Sequence, residues 1–525
     1  MPDTAHHHPH RRLLLVVIDG LGAAPLRAAL AEGHAPHIQT LIDAGARFDD
    51  AISPFPSLTP VCLSTIITGV GPDRHRIPSL GWYDRGRDRY VEYGSSFAAA
   101  AVEGTWRGVQ DVIVDLNHLH LAEDPPTLFE RAQDAGLRAA SINYLVSRGR
   151  TRHTMKHNYG PMRQVGKRIG VNSIYGPDHL YFGELYGSLK PLLPQVGFKR
   201  PKDWGGGHIA RYLMRNTGVE FVVLYLGEHD HKSHLLGPDS TQQAIAVADR
   251  ALGRSMSSLG GTEQFLEKFA VLLCADHGQT RVHHHAALED VFDDVTLFQG
   301  SRISSARDCD LAIIGSNRVA MAYRTRQLHH GAPRAGRPGH TDGPSDRWIA
   351  ERALESTAND LSIFRDGEDL VVLGGGPGGG ELRARRNPES GEPTLRAAMT
   401  GDERDSWSIS GDRDLLGLES DDGVLTYSTY PDAFQRIDSA LACVNTGDVL
   451  FSSRPGWEFH DIGGNAHSGG SHGSLHVEDS TAPLLSIGLE GATTDGLGTV
   501  RLTDIAGLAT SHLGIDAAVT ATRAR

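Results

Sequence analysis

The chain has 525 residues, with 51 Lys and Arg against 64 Asp and Glu, and a net charge of −13. That length is enough for a large core and for more than one structural unit. The acidic balance argues against binding to nucleic-acid duplexes, which wants a basic face, but it is compatible with a locally positive, metal-filled cleft that receives an anion.

Residues 1–12 carry a His- and Arg-rich stretch (His6, His7, His8, His10, Arg11, Arg12) that reads as a disordered N-terminus. The apolar run that follows, Leu13 to Ile18, is six residues long and ends in Asp19, too short for the core of a signal peptide. No run reaches the length of a membrane span. The four cysteines, Cys62, Cys274, Cys309 and Cys443, form no Cys-x-x-Cys pair and read as structural thiols of a reducing compartment. A soluble cytoplasmic protein without a membrane partner is expected.

Leu13–Ile18 predicts a strand buried on both faces of a parallel sheet. Helices are expected over 26–30 and 37–44. Thr59-Pro60 then opens a run with apolar residues at Val61, Leu63, Ile66 and Ile67, which predicts a helix to Thr68. Thr is a good N-cap and Pro suits the first helical position, so Thr59 is expected at a helix mouth, where free N–H groups attract anions. A plain capping threonine would look the same. Strands are expected over 90–93, 110–115 and 137–143, with a helix over 127–134. The stretch 147–168 is rich in Arg, Lys and His, and reads equally as a substrate-facing or a solvated loop. A helix over 204–217, a buried strand over 220–226, a helix over 241–259 and a buried strand over 269–274 follow.

This alternation is the pattern of a doubly wound α/β fold, a mostly parallel sheet with helices on both faces. Beyond about residue 285 the rhythm changes to shorter strands at 311–314, 319–323, 370–373 and 424–429, separated by Gly- and charge-rich segments. Gly374–Gly380 lacks the Gly-Lys-Ser/Thr ending of a phosphate loop and reads as a turn. Residues 300–445 are therefore read as a smaller inserted or cap region. Residues 13–299 and 446–525 are read as the catalytic core, with a returning core strand at 482–488.

Three carboxylates, Asp19, Asp230 and Asp276, each follow a buried strand. In open α/β sheets ligands bind outside the carboxyl ends of the strands, so these residues can share one rim. Asp230 and His234 have i, i+4 spacing and lie on one helical face if the segment is helical. His277 adjoins Asp276, and His472 lies in a Gly-rich loop. Carboxylate and imidazole without thiolate suit zinc or manganese. Taken singly each residue is weak: Asp19 is as readily a helix cap, and His229, His231, His283, His284, His285, His460 and His467 read as solvated or supporting residues.

In this order the set resembles the alkaline phosphatase superfamily, in its nucleotide pyrophosphatase/phosphodiesterase branch. The motifs are Val16-Val17-Ile18-Asp19-Gly20; Pro56-Ser57-Leu58-Thr59-Pro60 with Thr68-Gly69; Pro72-Asp73-Arg74-His75; Tyr83-Asp84; Asp230-His231-Lys232-Ser233-His234 with Gly237-Pro238; Ala275-Asp276-His277-Gly278; and His472-Gly473-Ser474. The resemblance implies two divalent metal ions, zinc or manganese, one held by Asp230, His234 and His472, the other by Asp19, Asp276 and His277. It implies Thr59 as nucleophile on the second ion, forming a phosphothreonine that water then cleaves, with the helix mouth offering N–H groups to the phosphoryl oxygens. The expected substrate is a phosphorylated small molecule, most naturally a phosphodiester. A phosphomonoesterase or phosphonate hydrolase on the same scaffold is the alternative, and a catalytically inactive binding protein is the alternative of another class. The pattern departs in two respects: no Asn occurs between Thr59 and Tyr83, where relatives carry one against the phosphate, and the His-Gly that closes the motif at Pro72 in relatives is His75-Arg76 here. Arg74, Arg76, the loop ending at Leu80, or Lys156, His157 and Asn158 are the candidates to contact substrate instead.

Overall fold

The computed structural model describes residues 11–154, 167–182, 186–187, 202–257, 259–300, 308–325, 344–375, 379–386, 395–397, 406–421, 424–495, 497 and 499–515. The expected disordered N-terminus, Lys156, His157 and Asn158 fall outside these.

The apolar runs do become buried strands. The central sheet has nine strands in the order Val500–Arg501, Arg47–Ile52, Thr481–Ile487, Phe269–Cys274, Arg12–Ile18, Phe221–Leu226, Ala139–Ile142, His179–Phe182 and Tyr186–Gly187. The five strands from Phe269–Cys274 to His179–Phe182 run parallel, and Thr481–Ile487 returns antiparallel. Leu13 to Ile18 are at most 1 % exposed because neighbours flank the strand and helices cover both faces. The three strands that precede the candidate aspartates lie side by side. Ile18 pairs with Leu226, and Val17 with Cys274, so their carboxyl ends meet at one rim.

The second sheet has ten strands, from Leu311–Ser316 and Val319–Arg324 through Val449–Ser453 to Leu418–Asp421. It is mostly antiparallel, and its first two strands form a hairpin with a two-residue turn, Asn317-Arg318. Ser316 Oγ accepts from the Gly81 N–H at 3.1 Å, which fastens this hairpin to the core next to Leu80. All four cysteines are buried, and among the described residues none is in a disulfide. Among the described residues no helix is long and apolar enough to cross a membrane.

One predicted strand is a helix. The segment 110–115 continues the helix Thr105–Gln110 into a π-helix, Asp111–His120. The run Val112-Ile113-Val114 favours a strand by propensity, yet those side chains are only half-buried. The buried positions are Asp111, Asp115, Leu116, Asn117 and His120, a helical spacing. Arg89 grips Asp111 with two bonds of 2.8 and 2.6 Å, so a buried ion pair fixes the conformation and overrides local preference.

Candidate active site

Thr59 is the first residue of the helix Thr59–Thr68, whose other nine residues are all buried and which ends on Gly69 in the left-handed conformation. Leu58, not Thr59, holds the N-cap position, so the Thr59 hydroxyl is not the cap. It faces His277 Nε2 at 3.1 Å and Asp19 Oδ1 at 3.4 Å instead, which rules out the plain capping threonine. The helix mouth offers fewer donors than expected. Pro60 has no N–H, and those of Val61 and Cys62 both bond the Leu58 carbonyl at 2.9 Å.

Asp230 and His234 share a face of the helix Glu228–Leu236, with His234 Nε2 3.3 Å from Asp230 Oδ2. His472 Nε2 lies 3.6 Å from Asp230 Oδ1, and its ring stacks on His277 with centroids 3.7 Å apart. His277 Nε2 lies 3.5 Å from both Asp19 and Asp276. The ligand atoms of Asp230, His277 and His472 fall within 4.8 Å of one another, and so do those of Asp19, Asp276 and His277. His277 thus sits between the two groups. His234 flanks the first, its ring centroid 5.2 Å from that of His472. All seven side chains meet at the rim where the three strands end.

Each imidazole is oriented by its other nitrogen. His234 Nδ1 donates to the Gly470 carbonyl at 2.8 Å, His277 Nδ1 to that of Gly278 at 2.9 Å, and His472 Nδ1 to that of Ser57 at 2.9 Å. Carbonyls only accept, so Nδ1 carries a proton and Nε2 is the nitrogen turned to the cluster, the one a metal would use.

The electrostatics ask for cations. Burial, with Asp230 and Asp276 close by, pushes the Asp19 carboxyl well above the usual range. Burial likewise raises Asp276. Burial works against ionised Asp230 too, but His234 and then His472 more than offset it and hold that carboxyl well below its ordinary value. Among the described residues the ion-pair partners of these three carboxylates are all histidines. Asp276 Oδ2 is buried without a hydrogen-bond partner. A buried carboxylate oxygen left so is costly, and a divalent cation is the partner that relieves it. The donor set therefore fits divalent cations.

Several supporting residues carry no motif. The Tyr225 hydroxyl donates to Asp19 Oδ2; its mark in the sequence is a lone hydroxyl near the end of an apolar strand. Gln279 Nε2 donates to Asp230 Oδ1. Gly20 has a φ of 67°, and a Cβ there would come within 2.8 Å of Asp230 Oδ1, so only glycine lets the chain pass so close. Asn317 Nδ2 lies 3.1 Å from His472 Nε2.

The other histidines have structural partners or face solvent. His229 is buried between the Asp19 carbonyl and Thr241 Oγ1. His467 stacks on His234 with centroids 3.7 Å apart and bonds Glu458 at 2.7 Å. His231, His283, His284 and His285 are exposed. Arg74 and Arg76 are exposed as well, Arg74 lying 3.9 Å from Asp124, and Leu80 is half-buried. A third group, Asp111, Asp115 and His120, also has ligand atoms within 4.8 Å of one another, but the Arg89 guanidinium already answers its charge.

The model of the type I phosphodiesterase/nucleotide pyrophosphatase family matches residues 13–336. The chain belongs to that family. It is a hydrolase that acts on phosphoric ester bonds. Phosphonoacetate hydrolase from Sinorhizobium meliloti 1021, solved with phosphonoformate, shares the fold at a TM-score of 0.53 and 15 % identity, over 98 % of both chains. Murine ectonucleotide pyrophosphatase/phosphodiesterase 5 does so at 0.53 and 13 %, over 97 % of this chain and 96 % of that one. The human form of the latter gives 0.52 and 14 %, with the same coverage. No curated protein matches the phosphodiesterase by sequence.

Proposed function

We propose that this phosphodiesterase cleaves small phosphodiesters in two steps through a phosphothreonine at Thr59. The observation that carries this reading is the Thr59 hydroxyl, held between Asp19 Oδ1 and His277 Nε2 rather than spent on a cap. A free threonine hydroxyl is a poor nucleophile at neutral pH and needs such activation. Asp230, His234 and His472 would hold one divalent cation and Asp19, Asp276 and His277 the other, with Thr59 beside the second; zinc or manganese suits these donors. Bound there, the pair would supply Lewis-acid stabilisation of the attacking and leaving oxygens.

In the first step Thr59 Oγ1 forms a bond to phosphorus and gives up its proton to solvent, because Asp19 and His277 would be engaged by the cation. The bond from phosphorus to the leaving alkoxide breaks on the opposite side. In the second step water attacks phosphothreonine, which releases a phosphomonoester and restores the hydroxyl. Buried cysteines outside any disulfide support a cytoplasmic setting for this chemistry.

Phosphonate cleavage is the second reading, favoured by the match to phosphonoacetate hydrolase over 98 % of both chains. The test is turnover of bis-p-nitrophenyl phosphate, p-nitrophenyl phosphate, a phenylphosphonate ester and phosphonoacetate with zinc or manganese present. The diester should outpace the monoester, and Thr59→Ala should abolish turnover. Normal rates in Thr59→Ala would remove the nucleophile assignment. Phosphonoacetate turned over fastest would favour the second reading.

A further inference from the structure

We propose that Asn317, delivered by the second sheet, binds a non-bridging oxygen of the substrate's phosphoryl or phosphonyl group; this rests on the phosphoryl-transfer reading above. Asn317 is the first residue of the two-residue turn between Leu311–Ser316 and Val319–Arg324, and it is 5 % exposed. Its Nδ2 lies 3.1 Å from His472 Nε2, inside the cluster of candidate ligands and away from the surface.

The orientation of that amide follows from the proton on His472. Nδ1 donates to the Ser57 carbonyl, so Nε2 is an acceptor, and only the N–H side of the amide can face it. The same lone pair is the one His472 would give to a cation. Once it is given, the Asn317 N–H has lost its acceptor and is buried, where an unmet donor is costly. A substrate oxygen beside the ion that His472 holds is the acceptor within reach. The amide is then a donor that the loaded site leaves free for an oxyanion.

The turn is held in place from three sides. Ser316 Oγ meets Gly81 N at 3.1 Å, the Asn317 carbonyl accepts from Phe459 N at 2.9 Å, and Arg318 N donates to the His472 carbonyl at 2.9 Å. A donor pre-positioned in this way adds binding energy without an ordering cost at the moment of binding.

The competing account is that asparagine is there only for the backbone. Its φ is 57°, in the left-handed region that asparagine tolerates and glycine prefers. The two accounts separate with Asn317→Gly, which keeps the turn and deletes the amide. Asn317→Asp is a second variant that keeps the shape but has no N–H.

The experiment uses the full chain in a Thr59→Ala background, loaded with zinc, and titrates inorganic phosphate by calorimetry. Zinc content and melting temperature are measured alongside. The expected result is phosphate affinity weakened roughly 10- to 100-fold in both variants, with two zinc ions and the melting temperature retained. Unchanged phosphate affinity in Asn317→Gly would overturn the proposal and leave a turn residue. Zinc lost in step with phosphate would overturn it too, because the amide would then serve His472. A Thr59→Ala chain that binds no phosphate at all would overturn the phosphoryl-transfer reading, and this inference with it.

Discussion

Arg318 and Asp479 form an ion pair of 2.7 Å with both side chains fully buried. The pair joins the second sheet to the two loops that carry His277 and His472. Asp479 Oδ1 also accepts from Thr280 Oγ1, its Oδ2 accepts from Ser474 N and Oγ, and its carbonyl accepts from Gly278 N. On the other side the Arg318 N–H holds the His472 carbonyl. Breaking one partner of a buried pair leaves the other charge unmet, at about 3–5 kcal/mol. Arg318→Met should therefore lower stability by that order and weaken metal binding. Chemical unfolding and zinc competition read the two effects, and a variant as stable as the parent would contradict this account.

The carboxylate cluster makes a second prediction. Asp276 Oδ2 has no hydrogen-bond partner, and Asp19 is pushed well above its usual range by burial and then by Asp230 and Asp276. The folded chain without a cation carries that penalty, and a cation that binds only the folded state removes it. At about 1,000 times Kd such binding adds about 4 kcal/mol. Zinc should raise the melting temperature and a chelator should lower it. In Asp276→Asn most of the response should disappear. A melting temperature indifferent to both zinc and chelator would sink the metal assignment.

Tyr225 offers a narrower test. Its hydroxyl donates to Asp19 Oδ2 from the end of the neighbouring strand, while Asp19 Oδ1 faces Thr59. Groups that orient a ligand without touching the ion typically alter metal affinity 10- to 100-fold. Tyr225→Phe should weaken the site proposed for Asp19, Asp276 and His277 by that order, and leave the one proposed for Asp230, His234 and His472 alone. Two-phase zinc titration distinguishes them, and equal loss at both sites would be the wrong result.

How much of this shows in the sequence depends on whether a residue's role is local. Asp19, Asp230 and Asp276 are readable because each ends an apolar run, and adjacent parallel strands carry all three to one rim. His234 is readable from its spacing to Asp230 on a helix. Asn317 is not, because a polar residue between two apolar runs reads as turn chemistry. Bonds between residues far apart in the chain, Ser316 with Gly81 and Arg318 with the His472 carbonyl among them, bring it to His472. The segment 110–115 fails for the same reason, since its helix depends on Arg89, about twenty positions earlier in the chain. The helix mouth at Thr59 illustrates a local misreading: Thr-Pro marks the start correctly, but the Leu58 carbonyl takes the donors.

His75 sets an acid limit on stability that is separate from the metal cluster. It is fully buried, with Nδ1 accepting from Ile77 N at 3.1 Å and Nε2 facing Thr65 Oγ1 at 3.1 Å. Burial pushes its pKa down from 6.5 to about 3. Below 6.5 the unfolded chain takes up a proton that the folded chain refuses, so the unfolded state binds more protons and stability falls as pH drops. Above 6.5 both forms are neutral and the residue adds no slope. The loss should run at about 1.4 kcal/mol per pH unit once well below 6.5, and level off near the folded pKa. His75→Asn keeps an acceptor for Ile77 and cannot charge. It should be less stable than the parent at pH 8 by about 1 kcal/mol for the lost Thr65 contact, yet decline less steeply in acid. Urea unfolding midpoints of parent and variant, collected from pH 8 downward, give the two slopes. Parallel slopes would mean that His75 titrates alike in both states.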